Sequence, residues 1–285
     1  MARRWFAPAK LNLYLHVVGR RFDGFHLLDS LVAFAEIGDE ISAESAPSLS
    51  LTVDGPYAAG LSDAPRDNLV WRAAELLAAH AGRPAAAALT LTKNLPIASG
   101  IGGGSSDAAA VLKALNTVWR LGLAEAELAR LGAALGADVP VCVGTRAAWL
   151  GGIGDEVAPS ATLPEVTALL VNPGIALPTP AVFKARQGPF SAAARFDAMP
   201  ADAAGLAALL AARRNDLTNA AVGLVPVIGE VLDRLATLEG ALIARMSGSG
   251  ATCFALFAEA GAAATAGARL RVERPNWWVA AGRLF

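Results

Sequence analysis

Between residues 8 and 18, Leu11, Leu13, Leu15 and Val17 alternate with Lys10, Asn12, Tyr14 and His16. A period of two predicts a strand with one apolar and one polar face. The turn signal Asp23-Gly24 follows, and a second apolar run over 25–37 predicts a neighbouring strand. A third short strand is predicted over 49–53. Residues 68–81 predict a helix, with Leu69, Ala73, Leu76, Leu77 and His80 near one face. A strand over 88–92 leads into a glycine-rich segment, 97–107, and then into a strongly periodic helix carrying Ala108, Val111, Leu112, Leu115 and Trp119. A helix over 125–135 is expected to stop at Gly136, with Ala137-Asp138-Val139-Pro140 as its exit. The second half predicts a strand over 166–171, a stiff loop with Pro173, Pro178 and Pro180, and helices over 203–213 and 226–238. Two apolar runs, 241–246 and 252–257, flank Ser247-Gly248-Ser249-Gly250-Ala251; a last helix and a strand over 277–281 close the chain. Strands and helices are intermixed in both halves, so the class is α+β. Gly151-Gly152-Ile153-Gly154, Pro159 and Pro164 mark a shift in composition, which places a boundary between domains at 1–158 and 159–285.

Composition narrows the function. A chain of 285 residues suits two domains. The mean hydropathy of +0.44 comes largely from alanine. The richest apolar stretch, 203–212, is half the ~20 residues a membrane span needs, and Arg213 and Arg214 end it. No membrane association is expected. Net charge is -1 and the pI is near 6.3, and no strong basic stripe of the kind nucleic-acid binders use to neutralise phosphates stands in the chain, so no nucleic-acid partner is expected. Cys142 and Cys253 sit in apolar runs and read as buried thiols, with neither a disulfide framework nor a metal spacing. His16, His26 and His80 form no HxxxH pattern, so no protein-held metal is expected. The first residues lack the apolar region of a secretory signal, and a reducing cytoplasm fits best. The sequence carries no signal of an oligomeric state. Lysine is scarce: only Lys10, Lys93, Lys113 and Lys184 occur. Each is a movable point charge that arginine replaces poorly.

The glycine segment carries the chemistry. Pro96-Ile97-Ala98-Ser99-Gly100-Ile101-Gly102-Gly103-Gly104-Ser105-Ser106 lies between a strand and a helix. Glycine forfeits backbone entropy, so such a cluster needs a reason. A helix N-terminus offers unpaired N–H groups and partial positive charge, and glycines let it approach an anion closely. The pattern is a phosphate cradle. It is not a Walker loop, since the chain has no Gly-Lys dipeptide, and Ser105 breaks GxGxxG. The HRD and DFG signatures and a GxSxG elbow are also absent.

Gly-Ile-Gly-Gly-Gly-Ser-Ser-Asp-Ala, at 100–108, resembles the phosphate loop of the GHMP kinase superfamily of small-molecule kinases. Pro8-Ala9-Lys10-Leu11-Asn12-Leu13 is similar to its first motif, and 247–251 to its third, in the same order. Arg21-Phe22-Asp23-Gly24-Phe25-His26, Gly136-Ala137-Asp138-Val139-Pro140, Pro178-Thr179-Pro180 with Phe183-Lys184, and Asn215-Asp216-Leu217 resemble a branch whose acceptor is a sugar alcohol carrying a cytidine diphosphate. The resemblance implies a two-domain GHMP-kinase-like fold, with an N-terminal mixed sheet with helices and a C-terminal ferredoxin-like α/β sandwich. It implies ATP as phosphate donor, held by residues 96–106, with Mg2+ arriving on the ATP and Ser105 as a possible ligand. Asp138 is the implied general base; from its residues alone it reads more readily as a cap on the turn before Pro140. Lys10 is implied to keep Asp138 ionised and to stabilise developing charge, and Asn12 to bond substrate. Phe25 and Phe183 are implied to sandwich the cytosine, His26 to read its polar edge, and Lys184 to meet a phosphate. Phe25 stands where tyrosine is usual, Ser99 where alanine or glycine is, and Ile101 where leucine is. Phe25 keeps an aromatic face and lacks the hydroxyl. Two alternatives stay open: a kinase of the homoserine or mevalonate type, and a non-catalytic nucleotide-binding module.

Overall fold

The structure is a computed structural model that describes residues 3–61 and 64–285. It divides into two compact units. The first comprises residues 1–9, 38–97 and 102–146; the second comprises 10–37, 98–101 and 147–285. A single cut after residue 158 does not reproduce this division. Two long strands, β1 (Arg4–Arg20) and β2 (His26–Ser45), each contribute residues to both units. The glycine segment also changes unit, between Ile97 and Ala98 and again between Ile101 and Gly102. Gly151–Gly154, read from the sequence as a boundary, is instead the turn of a hairpin joining β5 (Ala148–Gly151) and β6 (Glu156–Pro159). Gly154 N–H donates to the Gly151 carbonyl at 2.9 Å within it.

In the first unit, β3 (Ser50–Asp54) runs parallel to β4 (Ala87–Thr92), and β4 runs antiparallel to residues 40–45 of β2. Helix α1 (Leu69–His80) is capped by Asn68, whose side chain accepts from Val70 N–H at 2.9 Å. Its buried face is Val70, Ala73, Ala74, Leu77 and Ala78; His80 lies off that face and meets Glu127 at 3.0 Å. Helix α2 (Gly103–Val118) packs against α1, α3 (Glu125–Gly132) and α4 (Val139–Gly144). Helix α3 ends at Gly132 and not at Gly136. A Cβ on Gly132 would stand 2.6 Å from Val139 Cγ1, so the bare backbone lets α4 close against it. Pro140 lies in the first turn of α4 and does not lead the chain into a loop, because the first turn of a helix has no partner for a proline N–H in any case.

In the second unit, β5 pairs with residues 30–32 of β2 and with β6. A separate antiparallel sheet has the order β10-β7-β9-β8, from β7 (Thr167–Asn172), β8 (Ile243–Met246), β9 (Cys253–Phe257) and β10 (Trp278–Arg283). Helices α5 (Thr179–Ala185), α6 (Ala203–Ala211), α7 (Thr218–Leu224) and α8 (Val227–Ala236) connect β7 to β8, and α9 (Ala260–Glu273) connects β9 to β10. This is a βαββαβ arrangement with an enlarged first crossover. Its core gathers Leu169, Val171, Ile228, Val231, Phe257 and Leu270, with Leu15 and Val17 of β1. The fold is therefore α+β, with a mixed N-terminal sheet and an antiparallel C-terminal sheet. Among the described residues no helix is long and apolar enough to cross a membrane.

Candidate active site

Strand β1 departs from the half-polar reading: every residue from Ala7 to His16 is buried. Its polar side chains tolerate this because each has a partner inside the protein. Lys10 Nζ donates to Asn12 Oδ1 at 2.9 Å, and Asn12 Nδ2 donates to Ser30 Oγ at 2.8 Å. Tyr14 Oη donates to Asp29 Oδ2 at 2.8 Å, and His16 Nδ1 pairs with the Ala192 carbonyl at 2.9 Å. Burial and the Asp29 carboxylate drive the Tyr14 phenol far above its ordinary range, so it stays a donor.

The second unit brings the first motif, part of the glycine segment and the third motif together. Lys10 N–H donates to the Ile101 carbonyl at 2.8 Å. Ser247 Oγ accepts from Asn12 N–H at 3.1 Å and donates to the Gly100 carbonyl at 3.1 Å. Thr252 N–H donates to the Ser99 carbonyl at 3.1 Å, and Leu177 N–H to the Ala98 carbonyl at 3.2 Å. Gly100 has φ +74°, and a Cβ there would stand 2.6 Å from Ser247 O and 2.7 Å from Gly250 N. Only glycine permits both that backbone conformation and that approach. Asn215 holds the third turn from behind, its Nδ2 donating to the Met246 and Gly248 carbonyls at 2.8 Å each. Asp216 accepts from Val17 N–H at 2.8 Å and from Arg214 Nε at 2.6 Å. Asn215-Asp216-Leu217 thus fastens β1 to the third glycine turn.

The rest of the glycine segment belongs to the first unit. Gly102 (φ +64°) is the N-cap of α2, and Gly103 opens its first turn. Ser106 Oγ is buried and has no hydrogen-bond partner among the described residues. Asp138 precedes α4, half-buried, and its side chain makes no capping bond to that helix.

His26 lies on the face of Phe183, ring centroids 5.1 Å apart and planes 26° apart. Burial, then the charges of Arg20 and Arg186, hold its pKa below the ordinary 6.5. Phe25 is exposed beside it, and Lys184 is exposed on α5.

Sequence reasoning missed one buried cluster in the first unit. Lys93 Nζ meets Asp39 Oδ2 at 2.5 Å and Asp107 Oδ2 at 2.7 Å. Burial and then the neighbouring Asp39 charge push the Asp107 carboxyl up to about 8, against the pull of Lys93. Burial opposes the Lys93 charge, yet the two carboxylates outweigh it and raise its pKa. The available signal was that Asp107 shares a helical face with Val111 and Leu115, where a carboxylate requires a buried partner.

A βαββαβ unit, a mixed sheet and a glycine segment opening a long helix define a small-molecule kinase fold. The chain belongs to the GHMP kinases: residues 68–146 match the GHMP kinases N terminal domain and residues 197–273 the GHMP kinases C terminal domain. It is 52% identical over 279 residues to a 4-diphosphocytidyl-2-C-methyl-D-erythritol kinase of Paramagnetospirillum magneticum, covering 98% of this chain and 97% of the relative. It is 54% identical to the enzyme of the same name from Rhodospirillum rubrum, covering 98% and 91%. A crystal structure of 4-(cytidine 5'-diphospho)-2C-methyl-D-erythritol kinase superposes with a TM-score of 0.79 at 36% identity, covering 99% of each chain. A homoserine kinase from Cytophaga hutchinsonii shares the fold, with a TM-score of 0.71 at 16% identity over 99% and 94%.

Proposed function

We propose that this chain transfers the γ-phosphate of ATP to the 2-hydroxyl of 4-diphosphocytidyl-2-C-methyl-D-erythritol, a step of non-mevalonate isoprenoid precursor synthesis. The observation that carries the reading is the Ser247 bridge, which locks the first and third motifs onto Gly100. The extent and level of similarity to the named kinases support the choice of acceptor.

The donor nucleotide is assigned to residues 96–106, with backbone amides of 100–106 and the Ser106 hydroxyl on the triphosphate. Ser105 would hold a magnesium ion entering with ATP, and that ion would supply neutralisation of phosphate charge. Asp138 takes the proton of the acceptor hydroxyl as its oxygen bonds the γ-phosphorus. The bond from that phosphorus to the β–γ bridging oxygen breaks, and ADP leaves. Lys10 stabilises the charge on Asp138 and on the transferring group, and Asn12 orients the hydroxyl. Phe25, His26 and Phe183 hold the cytosine, and Lys184 a phosphate of the diphosphate. Buried Cys142 and Cys253 suit a reducing cytoplasm.

The test is to offer the purified protein the cytidine-bearing acceptor beside homoserine and mevalonate at equal concentration. Selective consumption of the cytidine compound is expected. Preference for either of the others would overturn the acceptor assignment.

A further inference from the structure

Both ends of the glycine segment are tied to one buried ion cluster. On the entry side, Lys93 follows β4 directly, and the N–H groups of Asn94 and Leu95 donate to Asp39 Oδ1 at 2.6 and 2.8 Å. On the exit side, Asp107 lies in the second turn of α2. The single ammonium of Lys93 joins them, through Asp39 on β2 and Asp107 on α2, with all three side chains no more than 4% exposed. It is also packed beneath the helix start, since a Cβ on Gly103 would stand 3.1 Å from Lys93 Nζ and 3.7 Å from Asp39 Oδ2.

A buried ion pair adds little net stability over an apolar replacement, and its best-attested use is to specify one geometry. This cluster sets two carboxyl groups against one cation, and Asp107 Oδ1 has no hydrogen-bond partner among the described residues. Stability alone is a poor account of such an arrangement. We propose that Asp39, Lys93 and Asp107 are positioning residues, a clasp that fixes the span of residues 94–106 and so sets the leading amides of α2 for the triphosphate. The inference rests on the reading that this segment grips ATP. It assigns Gly103 a reason of its own: to make room for the ammonium.

The test combines steady-state kinetics with amide hydrogen exchange on the full chain. Asp107→Ser removes one arm of the clasp and leaves a neutral Lys93–Asp39 pair; Asp107→Asn keeps an acceptor for Nζ. Asp107→Ser is expected to raise KM for ATP ~10-fold with kcat and the acceptor KM nearly unchanged, and Asp107→Asn to restore KM to within ~3-fold. Exchange over 97–106 should quicken in Asp107→Ser without ATP, while α9 stays protected. Asp39→Asn, which weakens the other arm and keeps an oxygen for the Asn94 and Leu95 N–H groups, should show a smaller rise in KM for ATP with the acceptor KM nearly unchanged, and it carries the test if Asp107→Ser does not fold. Unchanged KM and exchange in a folded variant would overturn the clasp. So would a parallel fall in kcat, both KM values and Tm, the mark of a merely structural role. If ATP fails to slow exchange over 97–106 in the wild type, the ATP-grip reading itself fails, and that result is read separately from the variants.

Discussion

Ser247→Ala removes one oxygen atom from the junction of the three motifs. Ser247 is fully buried, and its hydroxyl serves Asn12 N–H and the Gly100 carbonyl at 3.1 Å each. Alanine fits the same space, so no large cavity forms. It leaves a buried N–H and a buried carbonyl that must regain partners or stay orphaned. A net hydrogen bond contributes ~1 kcal/mol, and an orphaned buried group costs ~1–3 kcal/mol, so the expected loss is about 2–4 kcal/mol. In a chain of this size that lowers Tm by roughly 3–7 °C. If about 1.4 kcal/mol of it falls on the loop in its ATP-binding form, KM for ATP rises ~10-fold. Urea unfolding gives the stability and a coupled ADP assay gives KM. A variant within about 0.5 kcal/mol of wild type, with the same KM for ATP, would show that the bridge does not hold the site together.

Gly100→Ala and Gly104→Ala should part sharply under thermal unfolding. At Gly100 a Cβ meets backbone in a left-handed conformation, for a loss of about 2–5 kcal/mol; at Gly104 it meets only Leu69 Cδ1 at 3.4 Å, and stability should stay within about 0.5 kcal/mol. Equal losses would contradict the loop geometry. His26 should titrate below 6.5 by NMR, and Arg186→Gln should raise that midpoint. Because the folded protein binds this proton more weakly than the unfolded chain does, its contribution to stability is full above 6.5 and is lost as pH falls from there through the folded value. A midpoint above 6.5 would refute the assignment. Burial alone would raise the Asp216 pKa, but hydrogen bonds from Arg214, Val17 N–H and Ser191 bring it below 3.8. Asp216→Asn should therefore destabilise the protein at neutral pH, and the difference from wild type should vanish as pH falls through that lowered value; a gap that persists in acid would count against it.

Much of this architecture was legible from periodicity. The strands at 88–92, 166–171 and 252–257 and the helix after the glycine segment stand where the apolar pattern places them. Local pattern misled where tertiary partners decide. Lys10, Asn12 and His16 look like a solvated strand face, yet Ser30 and Ala192, far along the chain, supply the partners that let them be buried. The glycines at 151–154 resemble a linker because a tight hairpin and a flexible boundary use the same residues. Pro140 reads as a helix exit because proline suits both ends of a connection. Short α5 and α7 carry too few turns to show a period. The glycine segment, Lys10 and Asp138 could be picked out by motif. The Asp39–Lys93–Asp107 cluster could not, since its members share no motif and meet only through the packing of β2, β4 and α2.

The most direct test of the account follows ADP release from ATP with the cytidine-bearing acceptor, in the wild type and in Asp138→Asn. The wild type should release ADP only with acceptor present, one for one with phosphorylated product. Asp138→Asn should retain ATP binding while turnover falls by ~10²–10⁴-fold. Acceptor-independent ADP release in the wild type, or undiminished turnover in Asp138→Asn, would contradict it.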